Sequence, residues 1–361
     1  MEQLLARQLQ LIEEEEELLR RQRQQFRPNN RRNLPAFRYN PTHREDEFSF
    51  PDPVNCERWC RFTPAEIRQL AALLLGDDFS TTTSKRHYHC EPEEAMYLVA
   101  KRLAWPARLY DIGTNFGRGG PYCSEVINET IAYLYNRWNE HLKWWPALDD
   151  RQTLQTFADA YGHGLWGAVD GTFVPICRPS DPVVQRWTYS GYYRLNGIKF
   201  QCITAPNGLI VSVSDPFFGP VNDFTIWDRS GVIERLRQIM DGDWLFLLGD
   251  SAYFDTEGIV STIRRPQGVP LDDEAREFNE VLANLRIIVE DSFGETVNQE
   301  TYIKFKGGLR LGKQPVGAYY AIATLLKNCR SCMRRDRPTT VNVRFGLRPP
   351  AIEDYLRGVM A

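Results

Sequence analysis

The chain has 361 residues, 42% of them hydrophobic and 12% aromatic, with a formal net charge of −3. That length is enough for two or three domains with a sizeable core. No apolar run approaches the ~18–20 residues of a membrane helix, and the charged start MEQLLARQLQLIEEEEELL is not expected to act as a secretory signal.

The eight cysteines are scattered, so free thiols are the expectation. A slightly acidic balance argues against a uniformly polyanion-binding surface, but it averages over blocks of opposite sign. Residues 1–54 are expected to form an arginine-rich helical arm and linker. Leu4, Leu5, Leu9, Leu11, Ile12, Leu18 and Leu19 make a thin apolar stripe, and Glu13 to Glu17 an acidic block. Between Leu18 and Arg44 stand eight arginines and no acid. Such a stretch serves as a plain basic linker, a nuclear-import signal or a phosphate-contacting arm.

Residues 55–150 read as helical. Thr63-Pro64-Ala65-Glu66 has the form of a capping box with Pro in the first turn. Glu91 to Glu94 opens a second helix with Met96, Leu98, Val99 and Leu103 on its apolar face. Pro106 to Phe116 gives a short third helix. Pro121 to Trp138 gives a fourth, with Val126, Ile127, Ile131, Leu134 and Tyr135 inward. A short helix, the turn Gly117 to Gly120 and a longer helix form the pattern of a helix-turn-helix. In that reading Arg118, Tyr122, Ser124 and Glu125 sit near DNA. The alternative is a helical bundle that packs on the next domain.

Residues 151–345 change period. Leu165 to Cys177 reads as a strand, Lys199 to Thr204 as a second, and Leu209 to Ser214 as the return strand after the turn Pro206-Asn207-Gly208. Asp223 to Met240 reads as a helix with Asn222 or Asp223 at its start. The apolar run Trp244 to Leu248 reads as a strand buried on both faces, ending in Gly249-Asp250-Ser251. A carboxylate there is costly unless it is solvated, paired or bound to a cation. Phe278 to Phe293 and Gln314 to Cys329 are further helices. From Lys304 to Arg348 there are eleven basic residues, Arg334 and Arg335 among them, and one acid, Asp336. This suggests a polyanion partner. Residues 346–361 form a C-terminal tail.

Three antiparallel strands, a helix, a parallel strand and a later helix follow the order of an RNase H-like core. The fold class expected is therefore α/β, a mixed sheet with flanking helices, preceded by the all-helical region. Asp170 falls mid-way along the first strand, Asp250 at the end of the fourth, and Glu290 on the following helix. Carboxylates so placed suit hard divalent cations, Mg²⁺ or Mn²⁺, two of which clamp the attacking and leaving oxygens in an in-line phosphoryl displacement.

GAVDGTFVPI at 167–176, FFGPVNDFTIW at 217–227, LLGDSAY at 247–253 and FNEVLANLRIIVEDSFG at 278–294 together resemble the PIF/Harbinger-type DDE transposases and their domesticated relatives, over about residues 60–345. The resemblance implies a nuclear endonuclease that cleaves DNA at transposon ends and joins the 3′-OH ends to a target. It also implies an N-terminal helix-turn-helix, a Myb-like partner protein and the triad Asp170, Asp250 and Glu290 as catalytic and metal-binding residues. A homo-oligomer is left open. Asn279, Arg286 and Glu290 share one helix face, and Arg286 can pair with Glu290 or hold a phosphate bidentately. Tyr253 is either a hydrogen-bonding support or a packed side chain.

Two positions depart from the family pattern. Asn222 stands where His usually precedes the third-strand Asp, so Asp223 is an auxiliary acid or a helix N-cap. Leu326-Lys327-Asn328 replaces Leu-His-Asn. Cys329-x2-Cys332 and Cys56-x3-Cys60 lack the spacing of a zinc site. Ala168 stands where a dehalogenase-type phosphatase would need its nucleophile. The rival reading is a domesticated, non-catalytic DNA-binding or interaction protein on the same fold.

Overall fold

A computed structural model describes residues 48–77, 79, 90–114, 117–240, 244–253, 256–263, 270–305 and 307–357, without the side chains of 287–298. The arginine-rich arm expected before residue 48 lies outside the described residues.

The N-terminal region is helical. Helix α1 spans Pro53–Cys60, α2 Pro64–Leu70, α3 Pro92–Ala104, α4 Leu109–Gly113, α5 Gly120–Lys143 and α6 Arg151–Tyr161. The capping box of α2 forms: the Glu66 amide donates to Thr63 Oγ1 (3.3 Å) and the Thr63 amide to Glu66 Oε2 (2.7 Å). Such a cap is worth about 1 kcal/mol. Helix α6 follows Asp150, whose carboxylate accepts the Gln152 amide.

A curled mixed sheet comes next. Strand β1 is Leu165–Pro175, β2 Tyr189–Ser190, β3 Leu195–Thr204, β4 Ile210–Val213, β5 Phe217–Phe218, β6 Phe246–Gly249 and β7 Ile259–Ser261. The order is β2-β3-β1-β6-β7, with β4 and β5 also paired to β3. β1 and β3 are antiparallel, β6 is parallel to β1, and β7 is parallel to β6. This arrangement, with helices on both faces, is compatible with an RNase H-like fold.

The insert before β3 carries α7, Pro182–Thr188. The single helix expected over 223–240 is instead two, α8 (Asp223–Arg229) and α9 (Val232–Ile239). Gly231 takes φ +71 between them, a left-handed turn that ends the first helix and re-aims the chain. Helix α10 is Asp273–Gln299 and α11 is Val316–Met333. The run expected to be buried on both faces is also corrected: Phe246 is 36% exposed, whereas Leu247 and Leu248 are buried.

Helix α11 is buried nearly all round, and Tyr320 stacks on Phe200 of β3 at 4.5 Å. Its polar residues are internal ties. Asn328 accepts the Ile210 amide (3.1 Å) and donates to the Ile210 carbonyl (2.7 Å), pairing with β4 as a neighbouring strand would. Lys327 donates to the Gly208 carbonyl at the β3–β4 turn. Arg330 pairs with buried Glu300 (3.1 Å). Helices α12 (Thr340–Phe345) and α13 (Ile352–Tyr355) complete the described elements. One apolar core runs from Cys56 to Leu356, through the helical region and the sheet alike.

Candidate active site

Strand register brings the first two carboxylates together. Gly167 pairs with Leu247 and Ala168 with Leu248 in the parallel β1–β6 ladder. Two residues beyond that last pair come Asp170, still on β1, and Asp250, in the turn just past the end of β6. Neighbouring strands lie about 4.8 Å apart, and side chains at matched positions share a face. Each carboxylate is held by its own backbone: Asp170 Oδ1 accepts the Gly171 amide (2.7 Å), and Asp250 Oδ1 the Ala252 amide (2.8 Å).

The Asp170 side chain is 27% exposed. Burial first, with the Asp250 and Asp223 charges behind it, pushes its carboxyl up to about 6, against the pull of the Gly171 amide and of Arg286. Arg286 of α10 puts its guanidinium 3.5 Å from Asp170 Oδ2, so its described partner is the first-strand carboxylate. Asn279, two turns earlier on α10, accepts the Ile263 amide (2.8 Å) and donates to the Ile263 carbonyl (3.0 Å). It pins the helix to the segment after β7 and thereby helps aim Arg286. Glu290 lies on the same helix, but its side chain is outside the described residues.

Asp223 is not the N-cap of α8. Asn222 is: its Oδ1 accepts the Thr225 amide at 2.7 Å. This frees the Asp223 carboxylate to lie against Gly171, where a Cβ would stand 2.4 Å from Asp223 Oδ1. Lys199 of β3 neutralises it at 3.1 Å. Gln201 donates to the Tyr253 hydroxyl (2.7 Å) and to the Asp223 carbonyl (3.2 Å). Tyr253 is fully buried, and burial together with the three aspartates drives its hydroxyl well above the ordinary tyrosine range. It is a neutral strut under the Asp250 turn. Lys199 and Gln201 escape motif reading, although two polar residues at alternate positions of an apolar strand mark one face as special.

Among the described residues, no three His, Cys, Asp or Glu side chains converge to cage a metal ion. Asp170 on β1 and Asp250 just past the end of the adjacent β6 are nevertheless hard oxygen donors, and the Asp170 carboxyl is biased towards its protonated form by burial and like charge. A divalent cation relieves that bias, and Mg²⁺ is commonly held by one or two carboxylates plus water and substrate phosphate. The residues present fit such an ion.

The positions expected near DNA in the helical region are engaged within the fold. Arg118 makes a bidentate pair with buried Glu94 (2.9 and 3.2 Å), and the buried Tyr122 hydroxyl donates to the same carboxylate (3.0 Å). Ser124 gives its carbonyl to Asn128 at 2.7 Å. In the basic C-terminal stretch, Arg334 pairs with Glu66 (2.7 Å) and Glu57 (2.9 Å), tying the end of α11 to α1 and α2. Arg335 beside it is half-buried. Part of the charge counted there, that of Arg330 and Arg334, is thus neutralised within the fold.

Residues 169–328 match the family model of the DDE superfamily endonucleases. The match begins one residue before Asp170, within β1, and ends at Asn328, so it takes in the later part of β1, the other strands, Asp250, α10 and most of α11. No curated protein and no solved structure matches the chain.

Proposed function

We propose that the chain is a divalent-metal-dependent DNA endonuclease of the DDE type that hydrolyses phosphodiester bonds and joins the resulting 3′-OH ends to target DNA. One observation carries the reading: the parallel β1–β6 register, paired as far as Ala168 and Leu248, supports Asp170 and Asp250 as neighbours just past the carboxyl end of that pairing, with Arg286 against Asp170. Open α/β sheets bind their ligands at that end. The endonuclease family match over 169–328 supports it.

Asp170 and Asp250, joined by Glu290, would hold Mg²⁺ or Mn²⁺, which when bound supplies charge stabilisation at the attacking and leaving oxygens. The chain's own contribution is orientation. The Gly171 and Ala252 amides each engage one oxygen of a carboxylate and limit its rotation. Arg286 neutralises part of the local negative charge and is within reach of a phosphate that displaces its 3.5 Å contact. Lys199 removes the Asp223 charge from the floor of the site, leaving less repulsion against an incoming phosphodiester. The reading extends to double-stranded DNA at transposon ends as substrate, a Myb-like DNA-binding partner, self-association and a nuclear location.

The test is nicking of a DNA duplex in Mg²⁺ and in Mn²⁺ by the wild type and by Asp250→Ala. Metal-dependent nicking that the variant loses is expected. Wild type and variant equally inert, with a candidate Myb-like partner present, would overturn the reading in favour of a non-catalytic DNA-binding protein.

A further inference from the structure

The hairpin between α7 and β3 ends in a tip that the catalytic reading leaves unused. Tyr189 pairs with Asn196 and Ser190 with Leu195, closing the turn Gly191 to Arg194. The base is rigid: Asn196 is buried and donates to the Gln185 carbonyl (2.8 Å) and to Thr188 Oγ1 (2.9 Å). At the tip Tyr192 is 88% exposed and Tyr193 40% exposed. Arg194 is also exposed and takes a left-handed φ of +53, a strained backbone for a residue with a side chain.

A ladder of rings joins this tip to the active site. Phe173 lies on β1, three residues beyond Asp170. Gly197 of β3, the register partner of Pro175, has no side chain, and a Cβ there would stand 2.2 Å from the Phe173 ring, so the ring lies over β3 at that glycine. Tyr193 stacks on Phe173 at 4.2 Å and 16°, and Tyr192 meets Tyr193 edge-on at 4.9 Å. Lys199, the register partner of Phe173, holds Asp223 against Gly171. Of the two tip tyrosines, Tyr193 has its hydroxyl pushed upward by burial and by the Asp223, Tyr192 and Asp170 groups. An aromatic ring held almost wholly in water on a rigid turn is an unusual use of apolar surface. A nucleobase fits it, because every base has a π-face and stacking is tolerant of sequence.

We propose that Tyr192 and Tyr193 form a stacking platform for an unpaired nucleobase of the DNA strand bound at Asp170 and Asp250, with Arg194 on the adjoining phosphate. The proposal rests on the endonuclease reading for the identity of the ligand. It is tested on the full chain in EDTA, with a DNA duplex carrying 2-aminopurine in a short single-stranded overhang and a blunt duplex of the same sequence. The wild type should prefer the overhang and quench its fluorescence. Tyr192→Ala should weaken overhang binding by about tenfold, the scale of one lost base–aromatic stack, with an unchanged melting midpoint, while Tyr192→Trp keeps both quench and affinity. Equal affinity of the wild type for the two duplexes, or a quench that survives Tyr192→Ala, overturns the platform and leaves the ring for a protein partner. A Tyr192-dependent quench without metal-dependent nicking would sink the endonuclease reading and leave the platform standing; nicking without that quench would do the reverse.

Discussion

Replacing Asp170 with Asn tests the electrostatics of the site through stability, without needing turnover. Burial and the Asp250 and Asp223 carboxylates hold the Asp170 carboxyl up to about 6 instead of 3.8. Between those values the native chain binds more protons at this position than the unfolded chain does. Stability therefore falls as pH rises through that window, and the full penalty is present above it. The displacement from 3.8 to about 6 corresponds to about 3 kcal/mol at neutral pH. Asn removes the charge but keeps an oxygen to accept the Gly171 amide, now 2.7 Å away. The 3.5 Å contact with Arg286 goes with the charge, but its pull is already contained in that net displacement. The net expectation is a metal-free variant about 3 kcal/mol more stable than the wild type near neutrality, a rise of roughly 4 °C in melting midpoint for a chain of this size. Thermal melts in EDTA across the acid-to-neutral range should show the two proteins converging towards pH ~4. Adding Mg²⁺ should raise the wild-type midpoint and leave the variant unmoved. A variant that melts at or below the wild type at neutral pH in EDTA would refute the claim that Asp170 is held as a destabilised anion.

Three further outcomes follow from internal pairing. Lys199→Met strands the Asp223 carboxylate over Gly171 and should cost about 2–3 kcal/mol, the range for a lost hydrogen bond to a charged group; Lys199→Met with Asp223→Asn should recover most of it, and strictly additive melting shifts would deny the coupling. Arg334→Ala should destabilise by about 2 kcal/mol through its Glu66 and Glu57 contacts, while the salt dependence of DNA binding keeps its slope; a slope reduced by about one would restore a phosphate role for Arg334. Asn328→Ala removes both bonds to Ile210 and should cost about 2–4 kcal/mol, with the Ile210 amide exchanging much faster with solvent; unaltered exchange would mean that β4 does not depend on α11 for its outer pairing.

The strands that carry the site are legible because their signals are local. The apolar run from Leu165 into Asp170 and the apolar run ending in Gly249 put Asp170 on one strand and Asp250 just past the end of another, and the element order puts those strands side by side. In the basic C-terminal stretch, counting charge cannot see the partners of individual residues. Arg334 meets Glu66 across 268 positions, and Arg330 finds Glu300 inside the core. Arg118 misleads for the same reason: an exposed helix start and a buried ion pair with Glu94 have the same local pattern. Asn222 and Asp223 are adjacent, and either can cap a helix. Only the approach of Lys199 from a different strand decides that Asn222 caps while Asp223 turns to the sheet.

The position of Asp170 also explains why this carboxylate can be both destabilised and reachable. β1 runs on to Pro175, but its pairing with β6 covers only Leu165 to Ala168. On that side β1 loses its neighbour just before Asp170, while on the other side β3 stays paired as far as Pro175. The burial of β1 follows: Leu165 to Val169 are buried, and Asp170 to Phe173 only partly so. The gap where β6 gives way to the Asp250 turn is therefore an opening in the sheet, floored by Lys199 and Asp223 and walled by Arg286. A longer β6 would continue the pairing past Ala168 and bury Asp170 further, which costs free energy for a charged group. The short β6 and the glycine at its end belong to the site as much as the carboxylates do.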